Sequence, residues 1–148
     1  MLFRSELLRL IAGHPNFALA GVMSDSQPGE SVAAAFRHLA PAYPDERFKS
    51  EADVATLLAH EPTTAIFCAA PHGAAAALID RLLGAAESAG RAPHVVDISA
   101  DYRYGSASAY AAVYGHAHGA PARIAQFTCA VPEHLARSPT PHVAHPGC

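Results

Sequence analysis

Hydrophobic and polar positions along the chain follow two spacings. In "SELLRLIAGHP", Leu7, Leu8, Leu10 and Ile11 share one face at helical spacing, and Gly13 and Pro15 supply a helix stop. "FALAGVMS", Phe17 to Ser24, is instead a short apolar run between turn formers, which predicts a buried strand followed by the loop "SDSQPGES". Val32 to Leu39 predicts a short helix ended by "APAYP". "SEADVATLLAH" predicts another, with Ser50 as N-cap and Val54, Leu57 and Leu58 on one side. "TTAIFCAAP", Thr63 to Pro71, predicts a second buried strand, "HGAAAALIDRLLGAAESAG" a long helix, and Val95 to Ser99 a third strand. Beyond Gly105 the chain is rich in Ala, Pro and His and its periodicity fades.

The order helix, strand, helix, strand, helix, strand argues for an α/β architecture with helices packed on a parallel sheet. Right-handed crossovers place the loops after the strands on one sheet edge, where such sheets bind ligands. Those loops are "SDSQPG", "APHG" and "SADYR". A dinucleotide-binding sheet opens with a strand and a G-x-G-x-x-G loop before its first helix. This sequence opens on the helix, so the sheet is expected to be incomplete, with its first strand missing. Open edges and apolar faces follow from that, and with them self-association.

A chain of 148 residues suits one domain with a real core, and 51% hydrophobic with 16% charged residues is a globular composition. A net charge of −3 gives no basis for nucleic acid or an anionic membrane surface as partner. No stretch approaches the roughly 18 uninterrupted apolar residues of a membrane helix. The opening segment carries Arg4, Glu6 and Arg9 and lacks a small-residue cleavage site, so it reads as an amphipathic helix and not as a signal peptide. Cys68, Cys129 and Cys148 show no pairing pattern and no C-x-x-C spacing. That argues for a reducing, cytoplasmic location and against disulfides or structural zinc.

Several stretches carry candidate chemistry. In "APHG", Pro71 closes a strand, Gly73 lets a backbone approach a ligand, and amides at the following helix start attract anions or polar cofactor groups. An ordinary strand-to-helix turn would read the same way. "DISADYR" groups Ser99, Asp101 and Arg103 at a strand's carboxyl end, and the Arg103 fork suits phosphate or carboxylate. A surface Asp101–Arg103 pair is the alternative. In "YGHAHG", His116 and His118 lack the further ligands of a metal site, so no metal is expected and the stretch reads as a polar lining loop. Cys129 reads as a small buried residue in a strand. "HPGC" sets Cys148 after a turn of the kind that starts a helix, and a helix N-terminus makes a thiol nucleophilic. An unreactive end residue is the other reading.

"SELLRLIAGHP", "APHG", "VVDISADYR", "YAAVYGHAH", "CAVPEH" and "AHPGC" occur in the order found in N-acetyl-gamma-glutamyl-phosphate reductases, and the chain resembles that family over nearly its whole length. The resemblance implies a Rossmann-like, doubly wound NAD(P)-binding domain, partial over residues 1–148, with the family's C-terminal catalytic and dimerisation domain absent. It implies an NADPH-dependent reductase of arginine biosynthesis, related to aspartate-semialdehyde dehydrogenase and homo-oligomeric when complete. Cys148 corresponds to the catalytic cysteine, which would attack a small-molecule acyl phosphate, N-acetyl-glutamyl phosphate, ahead of reduction to the semialdehyde. Pro71, His72 and Gly73 correspond to a cofactor-side loop. Ser24 and Ser26 lie where the fold reads the adenosine ribose and its 2′-phosphate, although the arginine often found after that serine is missing. Arg103 corresponds to the holder of the substrate phosphate, with Ser99 and Asp101 beside it. The family's Gly-rich loop and its catalytic histidine have no counterpart in the chain, so the chain by itself is expected to be inactive. An aminoadipyl- or aspartyl-phosphate reductase, or a non-catalytic nucleotide-binding or interaction domain, are the alternatives. "SADYR" and "YGHAH" favour the acetylglutamyl branch over the aspartyl one.

Overall fold

Every strand pairing among the described residues is parallel, as the alternation of helices and strands requires. The structure, a computed structural model, describes residues 2–134 and 137–147. It forms two compact units, Met1–His60 and Glu61–Cys148.

The first unit runs α1 (Leu2–Ala12), β1 (Val22–Met23), α2 (Val32–Ala35), a 3₁₀ turn (Arg37–Leu39), β2 (Phe48–Lys49) and α3 (Glu51–His60). Its core joins Leu8, Val32, Leu39 and Phe48, with Leu19, Val22, Phe36 and Tyr43 packed around them. Only Leu8 of the expected α1 face is fully buried, and Leu10 is 53% exposed. The strand expected over Phe17 to Ser24 shrinks to two residues. Upstream, the His14 ring accepts the N–H groups of Asn16 and Phe17, which turns the chain there instead of extending it. The helix expected over Val32 to Leu39 breaks at Phe36, whose backbone (φ −131°, ψ 78°) leaves helical space while its ring packs edge-on against Phe48. Ser50 caps α3 as expected: the Asp53 N–H donates to Ser50 Oγ at 3.2 Å, and the Ser50 N–H donates back to the Asp53 carboxylate at 3.0 Å.

The second unit runs β3 (Ala65–Cys68), α4 (Ala75–Ser88), β4 (His94–Asp97), α5 (Ala107–Tyr114), a 3₁₀ segment (Pro121–Gln126), β5 (Phe127–Cys129), a 3₁₀ turn (Pro132–His134) and β6 (His142–Ala144). The strands lie in the order β3-β4-β6-β5, registered through Ile66 on Val95, Val96 on Val143 and Phe127 on His142. Helix α4 buries Ala75, Ile79, Leu82, Leu83 and Ala86 at helical spacing, so the predicted amphipathic face is the one that packs. Tyr102 stacks on Phe127 with ring centroids 3.7 Å apart. Arg123 clamps α4 by donating to Asp80 at 2.8 Å and to Glu87. Cys129 does lie in a strand, but β5 is at the sheet's edge and the thiol is exposed, contrary to the expected burial. The α/β class and the parallel pairing of the sequence reading both hold, in sheets of two and four strands.

His142 gives the second unit a pH dependence. Its buried ring accepts the Val95 N–H on Nδ1 at 3.3 Å and packs against Phe127. Burial, then the nearby His94 and Arg123, lowers its pKa below the ordinary 6.5. A lowered folded-state value means the stabilisation is complete above the unfolded-state value and is lost as pH falls through the folded one. Thermal midpoints of the protein should therefore drop on acidification below about pH 6.5. His142→Asn, which keeps an acceptor but cannot charge, should flatten that drop; an equally steep profile in the variant would rule out His142 as its source.

Candidate functional site

Strands β3, β4 and β6 are adjacent and parallel, so the loops at their carboxyl ends share one sheet edge. Asp97, the last residue of β4, is fully buried and organises the middle loop. Its carboxylate accepts the Ser99 N–H at 2.9 Å, the Ser99 hydroxyl at 3.0 Å and the Tyr102 N–H at 3.4 Å. Burial pushes its pKa up, and the Ser99 hydrogen bonds act in the opposite direction. Ser99 Oγ accepts the Asp101 N–H at 3.0 Å, which carries the turn one step further.

Asp101 is the hub of the edge. It is 1% exposed, and its carboxylate accepts the Gly73 and Ala76 N–H groups at 2.9 Å each and the Tyr110 hydroxyl at 3.2 Å, with His72 Nδ1 2.8 Å from it. Helix α4 has Ala74 at its N-cap, with no side-chain acceptor of its own. Asp101 supplies that acceptor from the neighbouring loop, with its negative charge at the helix's positive end. The Tyr110 phenol, pushed up to about 12 by burial and then by the Asp101 charge, stays protonated at neutral pH and donates. His118 completes the arrangement: Nε2–H donates to the Asp101 carbonyl at 2.9 Å, and Nδ1 accepts the Ala120 N–H at 3.0 Å. Both ring nitrogens are occupied and the ring is buried, so His118 is a clamp and not part of a polar lining; His116 is the exposed member of the pair.

The third loop, after β6, docks on the end of β4 through the His145 N–H, which donates to the Asp97 carbonyl at 2.8 Å. His145 Nδ1 in turn accepts the Gly147 N–H at 3.0 Å. Gly147 has φ +98°, and a Cβ placed there would lie 2.6 Å from the guanidinium carbon of Arg103. The backbone conformation favours glycine there, and any side chain would displace the guanidinium seated on it. Arg103 Nε is buried and has no hydrogen-bond partner among the described residues.

The sequence-derived candidates fall into three places. His72, Gly73, Ser99 and Asp101 form one hydrogen-bonded cluster, and Pro71 accepts the Ala74 N–H at 3.1 Å beside it. Arg103 meets Gly147, the residue before Cys148; Cys148 itself lies outside the described residues. Ser24 and Ser26 lie in the first unit at the carboxyl end of β1, their hydroxyl oxygens 3.5 Å apart. Ser99 and Asp101 direct their polar atoms at the protein, and burial of Asp101 removes the surface-pair alternative. The start of α4, expected to attract anions, already holds a carboxylate. Asp97 and Tyr110 were not singled out from sequence. A polar residue closing the apolar run "HVVD" was the available signal for Asp97, whereas Tyr110 gave none.

Comparison with known proteins now bears on this edge. The family model described as semialdehyde dehydrogenase, NAD binding domain, matches residues 4–137. The chain belongs to that family. It is therefore an NAD(P)-binding domain of an oxidoreductase family, with the Rossmann-like α/β fold that the parallel sheets express. It is similar to the N-acetyl-gamma-glutamyl-phosphate reductase of Ectopseudomonas mendocina (strain ymp), 39% identical over 145 residues, 97% of this chain and 39% of that protein. The reductase of the same name from Pseudomonas aeruginosa (strain UCBPP-PA14) is 39% identical over 128 residues, 86% of this chain and 34% of its own length. That of Pseudomonas putida (strain W619) is 35% identical over 156 residues, covering 97% and 39%. The chain spans 34–39% of the length of these curated relatives. Among the described residues, no group of three or more side chains is placed to hold a metal, and no helix is long and apolar enough to cross a membrane.

The residues present fit a dinucleotide of the kind the family description names. Gly73, with φ +83°, puts a bare backbone at the sheet edge where only glycine is readily accommodated. Ser24 and Ser26 offer paired hydroxyls at a strand's carboxyl end.

Proposed function

We propose that the protein carrying this segment is a cytoplasmic, homo-oligomeric N-acetyl-gamma-glutamyl-phosphate reductase of arginine biosynthesis, with residues 1–148 forming part of its NADP-binding domain. The observation that carries the reading is the seating of the Arg103 guanidinium on Gly147, one residue before Cys148, where the ends of β4 and β6 meet. A planar guanidinium suits the phosphate of an acyl phosphate next to an attacking sulfur.

On this reading the Cys148 thiolate attacks the acyl carbon, the carbon–oxygen bond to phosphate breaks, and inorganic phosphate leaves with Arg103 compensating its charge. A bound NADPH would supply the hydride that reduces the resulting thioester. Collapse of the tetrahedral oxyanion would then break the carbon–sulfur bond and release the aldehyde, leaving the Cys148 thiolate restored. Ser24 and Ser26 bind the adenosine ribose, and the 71–73 loop borders the nicotinamide half. Ser99 and Asp101 act as positioning residues, holding the loops in which Arg103 and Gly73 sit.

The test runs the reaction backward with the gene product that carries residues 1–148. N-acetyl-glutamate semialdehyde, inorganic phosphate and NADP⁺ are expected to give NADPH, with no reduction when phosphate is omitted and a weaker rate with NAD⁺. Faster turnover of the aspartate or aminoadipate semialdehyde would assign the protein to another branch. No phosphate-dependent turnover of any of the three would leave a non-catalytic dinucleotide-binding domain.

A further inference from the structure

The turn that precedes Cys148 is closed by a side chain. His145 Nδ1 accepts the Gly147 N–H at 3.0 Å, and the His145 N–H donates to the Asp97 carbonyl at 2.8 Å. A backbone N–H only donates, so in this arrangement Nδ1 carries its lone pair and no proton. The pattern is that of an Asx turn, in which a side-chain acceptor takes the N–H two residues on, with imidazole in place of Asn or Asp. The chain repeats it elsewhere: His14 Nδ1 accepts the Asn16 N–H at 3.1 Å, and His118 Nδ1 the Ala120 N–H at 3.0 Å. His118 is buried, whereas His145 is exposed and its ring exchanges protons with solvent. Asp97 is the common anchor. Its carboxylate holds the turn that leads to Arg103, its carbonyl holds His145, and the Arg103 guanidinium lies against Gly147. A single proton opens the Nδ1 link of this circuit, because Nδ1–H and the Gly147 N–H would then face each other as two donors.

We propose that His145 is a positioning residue for the reaction: its bare Nδ1 fixes the turn that sets Cys148 against the Arg103 guanidinium, and a proton on Nδ1 releases that turn. This rests on the role given to Cys148 above and goes beyond it by naming the side chain that holds the turn and the event that undoes it. Three charged or titratable groups surround the turn. The Arg103 guanidinium lies on Gly147, and the Asp97 carboxylate is taken up by Ser99 and Tyr102. The Cys129 thiol is in the strand position opposite Ala144. Arg103 opposes a proton on the ring, Asp97 favours one, and a thiol is uncharged over the range in which histidine titrates. A general base for the Cys148 thiol would be a different role for the same residue. The two separate cleanly, because Asn also closes such a turn but takes no proton.

The experiment follows phosphate-dependent reduction of NADP⁺ by the gene product carrying this segment, as wild type, His145→Asn and His145→Ala, across the histidine titration range. Well above that range the Asn variant is expected within about threefold of wild type. The Ala variant is expected about tenfold slower in kcat with little change in KM for NADP⁺, the effect of one lost hydrogen bond. On acidification through about pH 6.5 the wild type should fall toward the Ala rate, so that the ratio of Asn to wild-type rates climbs several-fold. Taking the ratio cancels the titrations of phosphate and thiol that all three proteins share. A ratio that stays constant with pH overturns the proposal, and so does an Asn variant as slow as Ala, which is the result a general base would give. No turnover by the wild type overturns the reductase reading, and the positioning role with it. ¹⁵N NMR of the wild-type protein tests the turn apart from activity and from any misfolding of the variants: the Gly147 amide signal is expected to titrate together with the His145 ring. A Gly147 signal indifferent to that ring removes the turn from the account, whatever the rates show.

Discussion

Asp101→Ala is expected to cost the protein about 3 kcal/mol or more of unfolding free energy, because one truncation strands several buried donors together. The Gly73 and Ala76 N–H groups and the Tyr110 hydroxyl all lose their acceptor, and His72 Nδ1 loses the carboxylate 2.8 Å away. Helix α4 loses its cap as well, a change worth about 1 kcal/mol in ordinary settings. Asp101→Asn keeps the shape but presents an amine to groups that need an acceptor, so it should lie between the alanine variant and wild type. Urea unfolding measures both. A loss under about 1 kcal/mol for the alanine variant would mean that the three donors find other acceptors and that Asp101 is not the hub.

Cys148→Ser in the gene product carrying this segment is expected to lower turnover by about 10³-fold or more, since the hydroxyl lacks the thiolate's nucleophilicity at neutral pH. Cofactor affinity should stay close to wild type, because on the proposed mechanism the sulfur bonds the acyl group and not the dinucleotide. The two other cysteines provide the contrast. Cys68 is buried in β3 and Cys129 is exposed at the end of the edge strand β5, opposite Ala144 of β6, and the proposed mechanism gives neither a role. Cys129→Ser should therefore retain nearly full turnover. If Cys148→Ser keeps a substantial fraction of the rate, the covalent route through this sulfur is wrong.

The long, strongly patterned elements were legible in the sequence. Helix α4 falls where Ala and Leu at helical spacing put it, α3 begins at the Ser50 cap, and β3 and β4 sit within the apolar runs that predicted them. The short elements were not. Strand β2 is two residues of "DERFKS", among charges that carry no strand pattern, and β6 is three residues held by neighbours on both sides more than by propensity. At the site, sequence order located the loops, because parallel crossovers fix which ends of the strands face the ligand. It did not reveal how the side chains divide the work. That Asp101 would turn inward and Arg103 would seat on Gly147 depends on the buried Asp97 and on donors arriving from residues 72–76 and 110, which no local pattern encodes.

The acceptor for the first turn of α4 lies 25 residues further along the chain than the N–H it receives. During synthesis α4 therefore leaves the ribosome unfinished at its leading end, with two bare amides and an untethered imidazole. It locks only after β4 and the turn beyond it have emerged and annealed beside β3. Stalling translation before residue 101 would then yield a nascent chain open to proteases around Pro71, and release past that point would close the nick site.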